Sequence, residues 1–157
     1  MDWKELLLAE EEARIIAKKL VPREKESFVS LETMKFRKIP VVDVRKTVEP
    51  FTTETVYEYY TPEGYCGIIT KIATTYYLND EVYFYVDGAL YEPPIVRAIG
   101  VYPNTPVRVL VQFDNSIVWK VSNNSGEEKE YGILNEGYIA LRKYKEDFIK
   151  VVLSGGL

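Results

Sequence analysis

Two glutamates in one short run are the residues of this chain best spaced for acid–base chemistry. Glu54 and Glu58 are four positions apart in a segment rich in threonine and tyrosine, so strand alternation predicts that they share one face. Two carboxylates held roughly 5 to 9 Å apart in a cleft serve as acid and nucleophile in glycosidases. A carboxylate-dependent hydrolase is therefore one hypothesis, although acidic pairs on strands are more often solvated surface.

The chain of 157 residues contains no histidine and one cysteine. Histidine is the usual general base near neutral pH and the commonest metal ligand, which excludes Ser-His-Asp and Cys-His nucleophiles and imidazole-bound metals. Asp80 and Glu81 offer oxygen ligands for calcium, but calcium requires about six oxygens, and the preceding Asn79 indicates a turn. We expect a protein without enzymatic activity, cofactor or metal.

The net charge and the apolar runs limit the partners. A formal net charge of -4 provides no basic footprint for nucleic acid. The apolar runs are much shorter than the roughly 20 residues that span a bilayer. We expect neither nucleic acid nor membrane as a partner. Cys66 lies in a strand-like run, so a buried, inert thiol is expected.

Short runs rich in tyrosine and valine, separated by glycine, proline and asparagine turns, extend from Phe51 to Leu141. They predict strands at about 52–60, 65–78, 81–86, 94–101, 106–113, 116–122 and 130–142. Their regular spacing, without helical patterns between them, favours antiparallel pairing. We predict a mainly β protein in which residues 51–157 form an antiparallel β-sandwich or jelly roll. Residues 144–153 form either a short helix or a final strand.

The first 20 residues have the spacing of a helix. Apolar side chains recur every three or four positions on one stripe: Leu6, Ala9, Ala13, Ile16 and Leu20. We predict an N-terminal α-helix within an arm of residues 1–21, followed by a connecting segment, 22–50, that contains one edge strand. The helix either packs on its own domain or contacts another subunit or another protein, because about five turns alone are marginally stable in water.

Tyrosines are concentrated between residues 57 and 91. Alternation puts Tyr57 and Tyr59 on one face, and it does the same for Tyr83 and Tyr85. Tyrosine rows suit half-buried sheet surfaces, and exposed ones offer contact area to proteins or sugars. The predicted interface residues are Trp3, Leu6, Ala13, Ile16, Leu20, Tyr57, Tyr59, Tyr83 and Tyr85.

Two stretches carry short turn and strand motifs. Residues 62–70 have the pattern P-x-G-Y-x-G-I-I-T, and residues 119–125 followed by 137–141 contain N-N-S and G-Y. These motifs resemble the opening and the closing hairpin of small β-sandwich structural proteins of tailed phages and other viruses. The resemblance implies a jelly-roll virion protein that serves as a capsid decoration, spike or vertex component. It implies a homo-oligomer, with a trimer favoured, that contacts other virion proteins and assembles in the host cytoplasm.

The leading hypothesis is thus a structural or assembly protein that acts through oligomerisation. The alternative is a carbohydrate-binding module that uses Trp119 or surface tyrosines as stacking platforms. Because Trp119 alternates with Ile117 and Val121, it is expected in the core.

Overall fold

The computed structural model describes Lys4 and residues 29–91, 98–99 and 106–155. Two antiparallel sheets pack together in this part of the chain, and a 3₁₀ turn (Arg142–Tyr144) leads into one C-terminal helix, α1 (Lys145–Leu153). The strands are β1 (Arg37–Lys38), β2 (Asp43–Val48), β3 (Thr52–Tyr60), β4 (Tyr65–Tyr76), β5 (Glu81–Val86), β6 (Ala89–Leu90), β7 (Ala98–Ile99), β8 (Val107–Phe113), β9 (Ser116–Asn123) and β10 (Lys129–Leu141).

The mainly β class and most predicted strands are confirmed. β3 and β5 have the predicted bounds, and β2 is the strand predicted within residues 22–50. Most of the strand predicted at 94–101 lies outside the described residues. So does the predicted N-terminal helix with Trp3, Leu6, Ala13, Ile16 and Leu20, and the helix that the structure does describe is C-terminal.

The six-stranded sheet is built on β4 and β10, which pair along most of their length. β1 and β2 pair with the far side of β10, β8 pairs with the far side of β4, and β7 adds a two-residue parallel pairing to β4. The four-stranded sheet has the order β3-β9-β5-β6. Successive strands from β2 to β5 therefore alternate between the sheets, as do β8, β9 and β10.

The main core lies between the two sheets. Trp119 is fully buried there, as its alternation predicts, and its ring stacks on Phe84 with centroids 4.3 Å apart. Its indole Nε1–H donates to Oδ1 of buried Asn135, 2.5 Å away. In the same core, the ring of Phe113 occupies the space that a Cβ on Gly67 would need. A larger residue at position 67 would have to displace that ring.

A second core lies on the other side of the six-stranded sheet, under α1. Phe148, Val151 and Val152 are three and four positions apart and form one buried stripe. They pack on Cys66 and Ile68 of β4. This stripe explains why residues 144–153 form a helix rather than a strand. Burial raises the pKa of the Cys66 thiol, as expected for an inert cysteine.

Candidate functional site

The outer surface of the four-stranded sheet, called here the open face, is the candidate site. Residues directly opposite one another in paired strands point to the same side. Lys120 lies between Thr55 and Tyr83, and Val118 lies between Glu58 and Tyr85. Because Trp119 points into the core, alternation along β9 directs Val118 and Lys120 outward. The open face comprises Thr55, Glu58, Tyr60, Tyr83, Tyr85, Leu90, Val118 and Lys120.

A β-bulge in β3 separates the two glutamates. The pairing of β3 with β9 shifts between Thr55 and Tyr57, and such an extra residue reverses the alternation beyond it. Glu54 pairs with Val121, whose side chain points inward, whereas Glu58 pairs with Val118 on the open face. The prediction that the glutamates share one face is therefore wrong. Glu54 instead forms an ion pair with Lys46, with 3.6 Å between Oε2 and Nζ.

A shallow depression of about 370 Å³ occupies the centre of the open face. Tyr60 and Tyr85 flank it, Val118 contributes an apolar surface, and Glu58 and Lys120 add one charge of each sign. The hydroxyl of Tyr60 donates to Glu58 at 3.4 Å, and the Lys120 ammonium lies 5.3 Å from the centre of the Tyr85 ring. Neither Glu58 nor Lys120 forms an ion pair within the part of the chain that the structure describes. The depression thus combines flat rings with polar groups suited to binding.

The predicted interface tyrosines divide between the two sides of this sheet. Each pair shares a face, as predicted. Tyr83 and Tyr85 lie on the open face, whereas Tyr57 and Tyr59 point inward. Tyr57 is only 4% exposed and donates its hydroxyl to the carbonyl of Val41 at 2.8 Å. Burial, with a smaller effect of neighbouring Tyr59, raises the pKa of Tyr57 to about 12. Tyr57 is accordingly a core residue of this chain.

Sequence reasoning did not assign Tyr60, Leu90 or Val118 to this surface, nor Thr55 or Lys120. Tyr60 is 62% exposed and Leu90 is 47% exposed, and Val118 lies at the centre of the face. Alternation from Trp119 was a sufficient signal for Val118. Tyr60 required knowledge of the bulge, because simple alternation from the start of β3 gives it the wrong side.

Asp80, considered above as a calcium ligand, is buried within a hydrogen-bonded cluster. Its carboxylate accepts from the Tyr131 hydroxyl and from the amide of Asn124 at 2.9 Å, and it lies 3.6 Å from Lys129 Nζ. Burial, strengthened by the bond to Asp80, raises the pKa of Tyr131. The described residues contain no group of three or more metal-ligating acids or cysteines. Asp80 therefore ties the turn before β5 to the start of β10.

Asp87 links two turns at the rim of the open face. Its carboxylate accepts from the backbone amides of Asp114, Asn115 and Ser116 at 3.0, 2.6 and 3.1 Å. Partial burial alone would raise the pKa of Asp87, but these three bonds together lower it. The ionised side chain thus holds the turn after β5 against the turn between β8 and β9.

Further comparisons add no functional assignment to this geometry. Within the described residues, no helix has both the length and the apolar content needed to cross a bilayer. Comparison of the chain with protein-family models, with curated proteins and with solved structures found no match.

Proposed function

We propose that this chain is a non-enzymatic assembly protein that uses the open face to bind a second copy of itself. The observation that carries the proposal is the run of tyrosine and aliphatic side chains on a regular sheet. Tyr60 and Leu90 are largely exposed, and Tyr85 and Val118 lie between them. Tyrosine supplies large contact area at low entropic cost and is enriched in interfaces.

The charges of the open face support a contact between identical copies. Glu58 and Lys120 lie beside the same depression and are without ion-pair partners among the described residues. A two-fold axis placed between Glu58 and Lys120 would bring Lys120 of one copy next to Glu58 of the other. It would do so twice, because an isologous interface repeats each contact. Two such pairs would fix the register of a contact whose centre is aromatic and aliphatic.

The strand connectivity supports a jelly-roll assignment. The orders β2-β10-β4-β8 and β3-β9-β5-β6 place eight strands in two sheets, as a double Greek key does. Jelly rolls occur in viral capsid proteins and in lectins. This supports the resemblance to virion proteins as the setting to test first, with the chain as a capsid decoration, spike or vertex component. The arm of residues 1–21 remains part of the proposal as a further contact.

The solution mass, measured by light scattering across a tenfold range of concentration, tests the proposal. We expect an oligomer. The resemblance favours a trimer, whereas pairing of Glu58 with Lys120 suits a dimer, and the mass separates the two. Val118→Lys puts a second cation at the centre of the open face and should yield a monomer. Leu110→Lys, at an exposed position of β8 in the other sheet, is the matched control and should retain the oligomer.

Two results would contradict this proposal. One is a monomeric wild-type protein at every concentration. The other is an unchanged oligomer mass in a folded Val118→Lys variant, which would move the contact to another surface.

A carbohydrate-binding module is the second candidate, and the depression between Tyr60 and Tyr85 is the observation in its favour. Sugars stack their C–H faces on aromatic rings and hydrogen-bond to carboxylates. Trp119 does not serve as a platform, because it is fully buried. Binding across a saccharide panel should then be lost in Tyr85→Ala and retained in Tyr76→Ala, which lies on the other sheet. A flat response of the wild-type protein across the panel would exclude this candidate.

A further inference from the structure

A second depression, of about 210 Å³, lies on the other sheet beside the C-terminal end of α1. It is independent of the open face. Its lining residues are Thr70, Lys71, Arg108, Glu136, Tyr138, Val152 and Gly155. Val152 and the ring of Tyr138 provide an apolar side, while the charged residues come from three adjacent strands.

Strand register aligns those charges in one row. Arg108 of β8 lies opposite Lys71 of β4, and Lys71 lies opposite Glu136 of β10. Ile69, two residues before Lys71, points into the core between the sheets. Without an irregularity, Lys71 would point there too.

A bulge prevents this. The pairing of β4 shifts at Thr70 with respect to both neighbouring strands, and the Thr70 hydroxyl donates to the carbonyl of Glu136 at 3.1 Å. Bulges redirect side chains and are frequent beside functional sites. This one turns Lys71 to the outer surface, next to Arg108.

The resulting row has an excess of positive charge. Like charges directly opposite one another in a sheet are destabilising. The Glu136 carboxylate lies 4.0 Å from Lys71 Nζ, whereas Arg108 has no carboxylate within ion-pair distance in the described ranges. Two cations and one anion leave one positive charge that faces the depression.

We propose that this depression binds a small oxyanion between Arg108 and Lys71. The fork of an arginine donates two parallel hydrogen bonds to a carboxylate or phosphate. A singly charged carboxylate neutralises the row, whereas a doubly charged phosphate leaves it with a net negative charge and is repelled more strongly by Glu136. The depression of about 210 Å³ accommodates a short organic acid whose apolar end contacts Val152 and Tyr138.

Nuclear magnetic resonance titration of the full chain tests this inference. Butyrate, acetate, phosphate and chloride are compared at constant ionic strength and pH. We expect saturable shifts of the Thr70, Lys71 and Glu136 amides with the two carboxylates, strongest with butyrate. Arg108→Gln should weaken binding about tenfold or more. Lys46→Gln, on an edge strand away from the depression, should bind as the wild-type protein does.

The outcomes separate the sources of the anion. Saturation by phosphate alone would support an oxyanion site and assign it to phosphate rather than carboxylate. Linear shifts with every salt, or unchanged affinity in Arg108→Gln, would overturn the inference.

The thermal midpoint of the anion-free protein gives a second readout. Because Arg108→Gln removes the like-charge pair, it should raise Tm by about 1 to 3 °C in chloride buffer. Butyrate should raise the Tm of the wild-type protein more than that of the variant, because it binds the wild-type protein more tightly. An equal rise in both proteins would contradict the proposal.

Discussion

The outer surfaces of the two sheets differ in what covers them. On the six-stranded sheet, Cys66 and Ile68 are buried beneath Phe148 and its neighbours on α1. On the four-stranded sheet, the outward positions of β9 and β5 carry Val118, Lys120, Tyr83 and Tyr85, all of which retain partial exposure. In β4 of the six-stranded sheet, apolar side chains are thus buried on both sides. In β9 of the four-stranded sheet, buried side chains alternate with partly exposed ones.

This difference separates residues that build the fold from residues available to a partner. A strand that is buried on both sides has a nearly continuous apolar sequence, whereas a strand with one solvent-exposed side has alternating apolar and polar residues. β4 matches the first pattern and β9 approaches the second. The aromatic groups on the alternating sheet are therefore the ones that need another explanation, and the proposed contact between copies supplies it.

The largest expected difference between the two outer surfaces comes from removing one aromatic ring from each. Phe148→Ala removes a fully buried ring that packs edge-on against Phe36 at 5.7 Å. It should lower the free energy of unfolding by about 3 to 5 kcal/mol. Tyr85→Ala should cost less than about 1 kcal/mol. Urea denaturation followed by circular dichroism, at a protein concentration low enough to avoid association, measures both.

Equal losses of unfolding free energy in the two variants would show that Tyr85 is packed as tightly as Phe148. The ring of Tyr85 would then not be available to a partner. A loss for Tyr85→Ala that appears only at high protein concentration would instead place that ring in the contact between copies.

The sequence was sufficient to predict most strands, but not the direction of every side chain. Periodicity predicted the longer strands of both sheets, because alternating and continuous apolar runs both record burial, but it missed the two-residue strands β1 and β6. It did not predict the bulges at Val56 and Thr70, which insert one residue and reverse every side chain beyond them. Whether a bulge is stable depends on the strand that it pairs with, so the local sequence pattern does not predict it. The outward directions of Glu58, Tyr60 and Lys71 depend on these two irregularities.

Residues of the same type in similar sequence surroundings can also point to opposite sides of the sheet. Tyr57 and Tyr85 occur in similar tyrosine-rich runs, yet one points into the core and the other outward. Which side of a strand faces the second sheet depends on long-range packing. Only for β9 did the sequence predict the inward side, because Trp119 is large and alternates with Ile117 and Val121.

Removal of a single hydroxyl from each side of the structure should have an intermediate effect. Tyr131→Phe removes the hydroxyl that donates to the Asp80 carboxylate. Asp80 is only 3% exposed, and its carboxylate remains beside Lys129. A buried acceptor left short of a donor costs about 1 to 3 kcal/mol. Tyr83→Phe, on the open face, should change the free energy of unfolding by less than about 0.5 kcal/mol.

Guanidinium denaturation of both tyrosine variants at pH 7 measures the difference. If Tyr131→Phe is as stable as Tyr83→Phe, the hydrogen bond from Tyr131 contributes no net stability, and the Asn124 amide together with Lys129 satisfies the Asp80 carboxylate.

The smallest expected effect belongs to Asp87, at the rim between the two regions. Its hydrogen bonds to three backbone amides favour the ionised form and lower the pKa of Asp87 in the folded protein. The resulting stability is fully present above the unfolded pKa of about 3.9. It is lost as the pH falls through the lower pKa of the folded state.

Asp87→Asn keeps the acceptor oxygen and removes the charge. It should cost less than about 1 kcal/mol at pH 7, because the side chain is largely exposed to solvent. The difference from the wild-type protein should stay constant down to about pH 5 and shrink below pH 4. Glu63→Gln, in the turn before β4, is the control and should show no such trend. Urea midpoints at pH 7, 5, 4 and 3 give the comparison. A difference that grows as the pH falls would have the opposite sign, and it would mean that the protonated carboxyl, rather than the carboxylate, holds the two turns together.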